Sequence, residues 1–592
     1  MDKNNQMRVM SFEPDSIQIE IINFEQWKIE NTDADIKIGS FLKIEDGNGN
    51  CILSLVKSFK MVERNSEELV ESNMYEGNFI INTQPIGQLI DDGDSLKFIK
   101  GIRNISIPPN GVSIATNEEL SQVFSFQENS KICFSNHLIN SDIEVELNGD
   151  KLFSKHLAVV GTTGSGKSCT VAKVIQEAKS TKNSEINNTH IVIFDIHGEY
   201  NKAFPNSNYL SIEDESLVLP YWLMNSEELE DMFIESQESN SHNQVSQFKH
   251  AVTENKKKFN PNLHVTYDSP VYFSIEEVNN YIKNKNKETQ YTEEGRTYFA
   301  TLDFKEETKN TYKLWEEINF ETPTGNTKHQ EFKEKVSSKG GGFFGEFNRF
   351  ISRLETKLND DRLNFLLSEY KNSGQKFNTN DLLDIIKKIL GYENPSNITI
   401  IDLSSLPFEI VSIVVSIVSR ILFDFSYNRV KLTGTNETPF MLVYEEAHKY
   451  VPKNSESKYK NTRVAVERIA KEGRKYGLSA MIVSQRPSEL SSSVFSQCNN
   501  FIVMRLTNPE DQSFVKSLLP EAVLSYGNSL SSLEQREALL VGDAVSTPCI
   551  VKIKDANPTP LSDDIKVYTE WQEIWKDVDL SRIMKRVNKV KV

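Results

Sequence analysis

Eight consecutive residues of this chain have the types and spacing needed to hold a phosphate group. They match the pattern G-x-x-x-x-G-K-[ST] and are Gly161, Thr162, Thr163, Gly164, Ser165, Gly166, Lys167 and Ser168. The glycines let the backbone curl so that successive N–H groups face a phosphate. The lysine can reach the β- and γ-phosphates, and the serine hydroxyl can bind Mg²⁺. We therefore predict an ATP and Mg²⁺ site here, and we assign the next residue, Cys169, to the same site.

Two adjacent carboxylates form a second candidate group. The apolar run at 440–444 leads directly to Glu445 and Glu446. In a phosphate-loop ATPase one such carboxylate holds Mg²⁺, usually through water, and the next polarises the water that attacks the γ-phosphate. We predict that Glu445 serves the metal and Glu446 the water. The alternative is that both acids begin a helical turn, where negative charge is favoured.

Three further side chains are candidates for sensing or stabilising the terminal phosphate. Gln485 follows a predicted strand at 480–484 and can hydrogen-bond the γ-phosphate or the attacking water; the alternative is an ordinary loop amide. Arg474, and after it Arg468, are candidates for an arginine that enters a neighbouring subunit's site, which requires a ring. Either arginine is equally suited to an exposed ion pair.

The segment after a second predicted strand, at 190–195, carries more acidic side chains. Asp195 ends that strand and Glu199 follows it, so both are candidates for the vicinity of Mg²⁺. His197 is a weaker candidate, because a histidine beside a turn glycine more often has a structural role.

Predicted strands that alternate with helices must position these groups. Apolar runs predict strands at 156–160, 190–195, 397–403, 440–444, 479–484 and 500–506, and amphipathic or apolar stretches predict helices at 169–178 and 407–428. Such alternation indicates an α/β fold with a mostly parallel sheet. The candidate groups follow strand ends, where open α/β sheets place their chemistry.

The pattern of the chain predicts five regions. Short β-rich pieces predict a small barrel over 1–147, and the nucleotide-binding core occupies 148–203 and 396–560. A polar, mostly helical insertion separates the two core parts at 204–395, and an amphipathic tail, suited to packing on a neighbour, covers 561–592.

Composition limits the class of protein. The 592 residues are 38% hydrophobic and 26% charged, as in a globular protein, and no apolar run approaches the length of a membrane span, so we expect a cytoplasmic protein. The five scattered cysteines predict neither a disulfide framework nor a zinc site. The net charge of −17 lowers the expectation of DNA binding without excluding it, since a basic channel can lie inside an acidic ring. The run Lys256, Lys257 and Lys258 is expected to be a solvated face.

Together with the phosphate loop, five motifs resemble the HerA family, a branch of the HerA/FtsK superfamily of DNA-pumping ATPases. These are DIHGEY at 195–200, EEAH at 445–448, EGRKYG at 472–477, SQRP at 484–487 and RLTNPEDQ at 505–512, in the family's order across about 140–555. The resemblance implies a RecA-like core, an N-terminal β-barrel of the type found in ATP synthase subunits, and a homohexameric ring that moves double-stranded DNA through its channel.

By position, the resemblance gives Lys167 and Ser168 to nucleotide and Mg²⁺, Glu446 to catalysis, Gln485 to sensing, and Arg474 to the neighbouring site. Two departures matter. Many relatives have aspartate where this chain has Glu445, and the 204–395 region matches poorly, so channel contacts do not carry over.

The resemblance also implies a partner. Archaeal members work with the NurA nuclease in DNA end resection, and some bacterial members work with sirtuin-like or nuclease effectors in antiphage defence. The Asn- and Lys-rich composition favours a bacterial, defence-related member. A repair motor and an ATPase scaffold that licenses an effector are the alternatives, and a conjugation or secretion motor is disfavoured by the missing membrane anchor.

Overall fold

The computed structural model describes the chain except for residues 1–6, 23, 31–35, 46–49, 64–76, 92–95, 103–110, 127–129, 181–185, 235–240, 302, 323–337, 454–459, 520–525, 563–565 and 588–592. In the described part, no helix combines the length and the apolar character needed to cross a membrane.

The N-terminal region is an antiparallel sheet with two short helices. Its elements are β1 (Met7–Phe12), β2 (Ile17–Ile21), α1 (Phe24–Glu30), β3 (Phe41–Glu45), β4 (Cys51–Glu63), β5 (Gly77–Asp91), β6 (Leu96–Lys100), β7 (Gly111–Ile114) and α2 (Asn117–Val123). The strand order is β1-β2-β5-β4-β3-β7, with β6 on β5. The sheet curves so that β1 lies near β7, but within the described residues no ladder joins them. Closure into a barrel therefore stays a prediction.

The first part of the nucleotide-binding core follows. It comprises β8 (Lys131–His137), β9 (Glu144–Asn148), α3 (Gly149–Ser154), β10 (His156–Val160), α4 (Lys167–Lys179) and β11 (Ile191–Asp195). Strand β8 pairs with a later core strand rather than with the N-terminal sheet. The change from one sheet to the other thus falls between Ile114 and Lys131, ahead of the boundary predicted at 147, because strand pairing between distant segments leaves no local sequence signal.

The region between the two core parts is built mainly from helices on one face of the core. Its elements are β12 (Asn208–Leu210), α5 (Ser226–Phe233), α6 (Ser241–Phe259), α7 (Ile275–Lys287), β13 (Thr289–Glu293), β14 (Arg296–Phe299), β15 (Lys339–Gly340), α8 (Asn348–Leu358), α9 (Asn364–Leu367) and α10 (Asp381–Ile389). Strands β13, β14 and β15 form a small separate sheet, whereas β12 adds an edge strand to the core sheet.

The second core part and the tail complete the chain. They contain β16 (Ile398–Asp402), α11 (Phe408–Thr433), β17 (Phe440–Tyr444), α12 (Lys460–Glu472), β18 (Leu478–Ser484), α13 (Ser492–Phe495), β19 (Cys498–Met504), α14 (Pro509–Leu518), β20 (Glu537–Gly542), β21 (Cys549–Ile553), α15 (Val567–Trp571) and α16 (Leu580–Val587).

The core sheet has 11 strands in the order β12-β16-β11-β17-β18-β10-β19-β20-β21-β8-β9. The strands from β12 to β19 run parallel, as predicted, whereas β20, β21, β8 and β9 continue the sheet antiparallel and make it mixed. Alternate residues of β10 enter two separate cores, because both faces of the sheet are covered. Helix α4 covers one face, and α11 with the 204–395 region covers the other.

Candidate nucleotide-binding site

The phosphate loop connects the buried strand β10 to helix α4. Gly164 and Gly166 have φ angles of 75° and 95°, in the left-handed region that favours glycine. A Cβ atom on Gly166 would lie 2.9 Å from Cγ of Arg536, which packs against the loop. The loop therefore needs glycine at this position for both its backbone shape and its packing.

Neighbouring strands fix the loop in place. Thr162 donates its N–H (2.8 Å) and its hydroxyl (3.0 Å) to the carbonyl oxygen of Arg505, just beyond β19. The N–H of Arg536, before β20, donates to the Ser165 carbonyl oxygen at 2.8 Å. The Ser165 hydroxyl donates to the Thr162 carbonyl oxygen at 2.7 Å. The loop is thus preorganised before any ligand binds.

Lys167 is buried at the base of this loop. Its Nζ donates to the Thr162 carbonyl oxygen at 3.3 Å. Burial lowers the pKa of the Lys167 ammonium, whereas the nearby carboxylates of Glu446, Glu445 and Glu199 act in the opposite direction. Lys167 therefore faces three acidic side chains across the cavity.

The two adjacent carboxylates lie at the end of β17, and both are buried. Glu446 has φ 46° and ψ 44°, a left-handed conformation that costs a non-glycine residue on the order of 1 kcal/mol. Its Oε2 lies 3.3 Å from Nδ1 of His448 and accepts the Gln485 N–H at 3.4 Å. The strained backbone and these contacts together hold the Glu446 carboxylate in the cavity.

Glu445 points toward the neighbouring strand end. Its Oε2 accepts the N–H of Ile196 at 3.1 Å. Burial, and after it the charges of Asp195 and Glu199, raises the pKa of Glu445 well above its usual range. Glu445 lines the cavity, but one of its carboxylate oxygens already accepts a hydrogen bond from the backbone.

Asp195 holds a turn instead of facing the cavity. It accepts four backbone N–H groups at 2.8–3.2 Å, from the four residues His197, Gly198, Glu199 and Tyr200. Of the two acids predicted near Mg²⁺ in this segment, Glu199 lines the cavity and Asp195 positions the turn that carries it. His197 also lines the cavity.

His448 belongs to a motif quoted from the sequence, but sequence reasoning gave it no role. Burial lowers its pKa to about 4, so the ring is neutral at neutral pH. Its Nδ1 also lies 3.1 Å from the Ser484 hydroxyl. His448, in the turn Ala447–Lys449 after β17, therefore orients the Glu446 carboxylate, and its place two residues after the acid pair was the available signal.

Gln485 reaches the phosphate loop. The Thr163 hydroxyl donates to its Oε1 at 2.7 Å. Arg474 lies on an exposed turn, Gly473–Tyr476, that precedes β18, at the opposite edge of the sheet from Gln485. Arg468 forms an ion pair with Asp424 at 3.4 Å, and its guanidinium carbon lies 4.0 Å from the centroid of the Phe423 ring. The structure thus separates both arginines from the cavity of their own subunit.

The groups surround a cavity of about 340 Å³. Its lining consists of Thr163, Gly164, Gly166, Lys167, Ser168, Cys169, His197, Glu199, Glu445, Glu446, Lys449, Val483, Gln485, Gln535 and Ser562. Gly161, Thr162 and Ser165 shape the loop from behind. Sequence reasoning missed Lys449, Gln535 and Ser562; the last two come from loops without a motif.

The side chains present fit a magnesium ion. Oε2 of Glu199 is buried and has no hydrogen-bond partner within the described chain. The three glutamates that line the cavity also outnumber its two lysines, Lys167 and Lys449. Among the described residues, no group of three or more His, Cys, Asp or Glu side chains is close enough to hold a metal without help. This suits Mg²⁺, which keeps most of its water and shares phosphate oxygens. The Ser168 hydroxyl and, through water, Glu445 would hold it.

Comparison with known proteins agrees with this geometry. Residues 132–422 match the family model "Helicase HerA, central domain". Proteins called "DNA double-strand break repair helicase HerA" are similar along most of their length: the one from Sulfolobus acidocaldarius is 29% identical over 471 residues, covering 78% of this chain and 76% of the relative. The chain is thus similar to HerA helicases over most of its length. With these relatives and a complete phosphate loop, it is an ATP hydrolase.

A second HerA relative and one solved structure extend the comparison. The relative from Sulfurisphaera tokodaii, with the same printed name, is 28% identical over 480 residues and covers 79% of this chain and 77% of its own. Among solved structures, VirB4 of Thermoanaerobacter pseudethanolicus aligns with a TM-score of 0.44 and 13% identity over 73% of this chain and 98% of its own.

Proposed function

We propose that this chain is a HerA-family, ATP-driven translocase of double-stranded DNA that works as a homohexameric ring. The observation that carries the proposal is one cavity in which Lys167, in a rigid phosphate loop, faces the buried carboxylate of Glu446. The relatives' printed name, DNA double-strand break repair helicase, supports DNA as the cargo.

In the proposed mechanism, the loop N–H groups and the Lys167 ammonium hold the β- and γ-phosphates of ATP. Glu446, oriented by neutral His448, polarises the water that attacks the γ-phosphate. Gln485 lies between the loop and Glu446 and is placed to report whether the γ-phosphate is present. Bound Mg²⁺ would neutralise phosphate charge, with Ser168 and Glu445 as its protein partners.

Two features support a ring. Arg474 is exposed at the sheet edge opposite the phosphate loop, so the nucleotide site that we propose it acts on belongs to a neighbouring subunit. The tail exposes large apolar side chains, among them Trp571, Ile574 and Trp575, which are 77–89% accessible in a single subunit. Burial of such side chains on another protein chain is strongly favourable.

We further propose that the ring feeds or activates a nuclease or sirtuin-like effector in antiphage defence, with DNA end resection in repair as the alternative. The same exposed tail also suits a scaffold, in which the ring assembles an effector and hydrolysis acts as a timer.

DNA dependence tests the proposal. Hydrolysis by wild-type protein is measured with and without duplex DNA at rising salt, with Lys167→Ala as the inactive control. We expect DNA to stimulate turnover. The affinity of the protein for DNA should fall steeply as the salt concentration rises, by about 10³–10⁵-fold between about 50 and 200 mM for a protein with several phosphate contacts. Turnover that ignores DNA and responds only to a companion protein would replace the translocase with the scaffold.

A further inference from the structure

A second cavity adjoins the nucleotide cavity on the other side of the phosphate loop. It has a volume of about 530 Å³. Its lining consists of Thr162, Thr163, Gln485, Arg486, Arg505, Thr507, Asn508, Asp511 and Ser531. Thr163 and Gln485 line both cavities, so the hydrogen bond between them forms the shared wall.

The second cavity carries cations that are free to bind a ligand. Arg505 is half-buried, and within the described chain no acidic or other polar side chain pairs with its guanidinium. Its own carbonyl oxygen accepts two hydrogen bonds from Thr162, which fixes the residue against the phosphate loop. Arg486 has only an exposed pair with Glu489 at 3.1 Å, and exposed pairs contribute about 1 kcal/mol or less.

The one carboxylate of the second cavity is already engaged. Asp511 is buried and accepts the N–H (3.0 Å) and the hydroxyl (2.7 Å) of Ser488. The groups left to contact a ligand therefore include two guanidiniums, the hydroxyls of Thr507 and Ser531 and the amide N–H₂ of Asn508. Guanidinium and hydroxyl donors match the oxygens of a phosphate group.

We propose that the second cavity binds a phosphate of the DNA backbone and that its occupancy is transmitted to the nucleotide cavity through Gln485. A ligand that draws Arg505 or Arg486 inward displaces the Gln485 side chain that shares the wall. The backbone N–H of Gln485 also donates to Glu446, so the displacement reaches the catalytic carboxylate. The inference rests on the proposed DNA translocase.

The first test is duplex binding by Arg505→Gln, measured as fluorescence anisotropy of a labelled duplex over a salt series. We expect the affinity for duplex DNA to fall roughly three- to tenfold, equally for two duplexes of unrelated sequence. The slope of log affinity against log salt concentration should become shallower by about 0.9 for each contacting subunit. Arg362→Gln is the matched control, because that arginine is exposed and pairs only locally with Asp360. Arg486→Gln repeats the test at an exposed position if Arg505→Gln fails to fold.

The second test addresses the coupling. Thr163→Val removes the hydroxyl of the shared wall, whereas Thr163→Ser keeps it. We expect Thr163→Val to bind duplex DNA with wild-type affinity, while duplex no longer raises its hydrolysis above that variant's own basal rate at saturating ATP. Thr163→Ser should restore the stimulation. Each variant is compared with its own basal rate because Thr163 also lines the nucleotide cavity.

The outcomes separate this inference from the proposed function. Wild-type protein that binds no duplex would refute the translocase. Wild-type binding with unchanged affinity and salt slope in Arg505→Gln and Arg486→Gln would refute only the second site. Calorimetry of the ADP-loaded protein with inorganic phosphate distinguishes the source: if Arg505→Gln loses only that binding, the cavity takes the phosphate released by hydrolysis, and the DNA assignment is wrong.

Discussion

Replacing Glu446 by glutamine tests the centre of the proposed mechanism. Glutamine keeps the size of the side chain, and its carbonyl oxygen can still accept from His448 or the Gln485 N–H. It removes the negative charge from an enclosed position that is only 6% exposed. Loss of a general base slows the chemical step by about 10²–10⁴-fold, which corresponds to about 3–5 kcal/mol on the barrier.

The same change should not weaken nucleotide binding. Glu446 is the foremost carboxylate that favours the charged form of Lys167, so its neutralisation lowers the pKa of that lysine in the empty site. The negative charge of the bound triphosphate opposes this effect, because it favours the charged lysine in the same way. Neutralisation also removes the repulsion between this carboxylate and the triphosphate. We therefore expect ATP affinity to be retained or to rise, while turnover falls.

Stopped-flow binding of a fluorescent ATP analogue and phosphate release in a single turnover measure the two effects separately. Glu472→Gln removes the same charge from an exposed position and should leave both unchanged. If Glu446→Gln kept turnover within about threefold of wild type, another group would activate the water, and the assignment drawn from the geometry would be wrong.

Three other predictions follow from particular positions. Gly166→Ala should lower nucleotide affinity at least about tenfold in a fluorescence titration, because it combines left-handed strain with the contact at 2.9 Å; Gly374→Ala, with φ 79° and open space, should not. Burial lowers the pKa of His137 from its ordinary 6.5 to about 4. Between pH 6.5 and pH 4 the unfolded chain therefore protonates this histidine and the folded chain does not, so the stability of the fold should decrease as the pH falls through this range. Denaturant unfolding at pH 7.5 and 5.0 should show that His137→Asn loses less free energy of unfolding at the lower pH than wild type does. Equal losses in the two proteins would contradict the cause. Arg474→Ala and Lys167→Ala should each be inactive alone, yet an equal mixture should recover up to about a quarter of wild-type hydrolysis, since one interface in four of a random ring joins the intact halves; a mixture as inactive as its components would exclude action on the neighbouring site.

The strands that carry the site were predictable because their signals are local. The predicted strands at 156–160 and 440–444 match β10 and β17, since short, wholly buried parallel strands are continuous apolar runs. The predicted helix at 407–428 corresponds to α11, which runs on to Thr433. Strands β20 and β21 were not predicted, although residues 538–541 of β20 form a short apolar run of the same kind. Pairing across several hundred residues, as between β8 and β21, leaves no local signal.

The lysine run at 256–258 shows where composition misleads. Lys257 and Lys258 are exposed, as expected, and pair with Glu254 and Glu277. Lys256 is fully buried and donates to the carbonyl oxygens of Tyr267 and Ser269 at 2.6 and 2.7 Å. Helix periodicity turns one lysine of the three inward, where backbone carbonyls accept its hydrogen bonds. Burial lowers the pKa of this lysine to about 7.

The site residues themselves lie at both edges of one sheet. Parallel strands bring the phosphate loop, the acid pair and Gln485 to the carboxyl edge, because motifs after successive strands share that edge. Arg474 precedes β18 and therefore lies at the amino edge, a full strand length from the Gln485 that follows the same strand. In the proposed ring, each subunit would therefore hold the binding half of a site at one edge and offer Arg474 at the other. Repeated head to tail, this arrangement brings the two halves together only between subunits, which is why a closed ring, rather than a single chain, is the unit we expect to hydrolyse ATP.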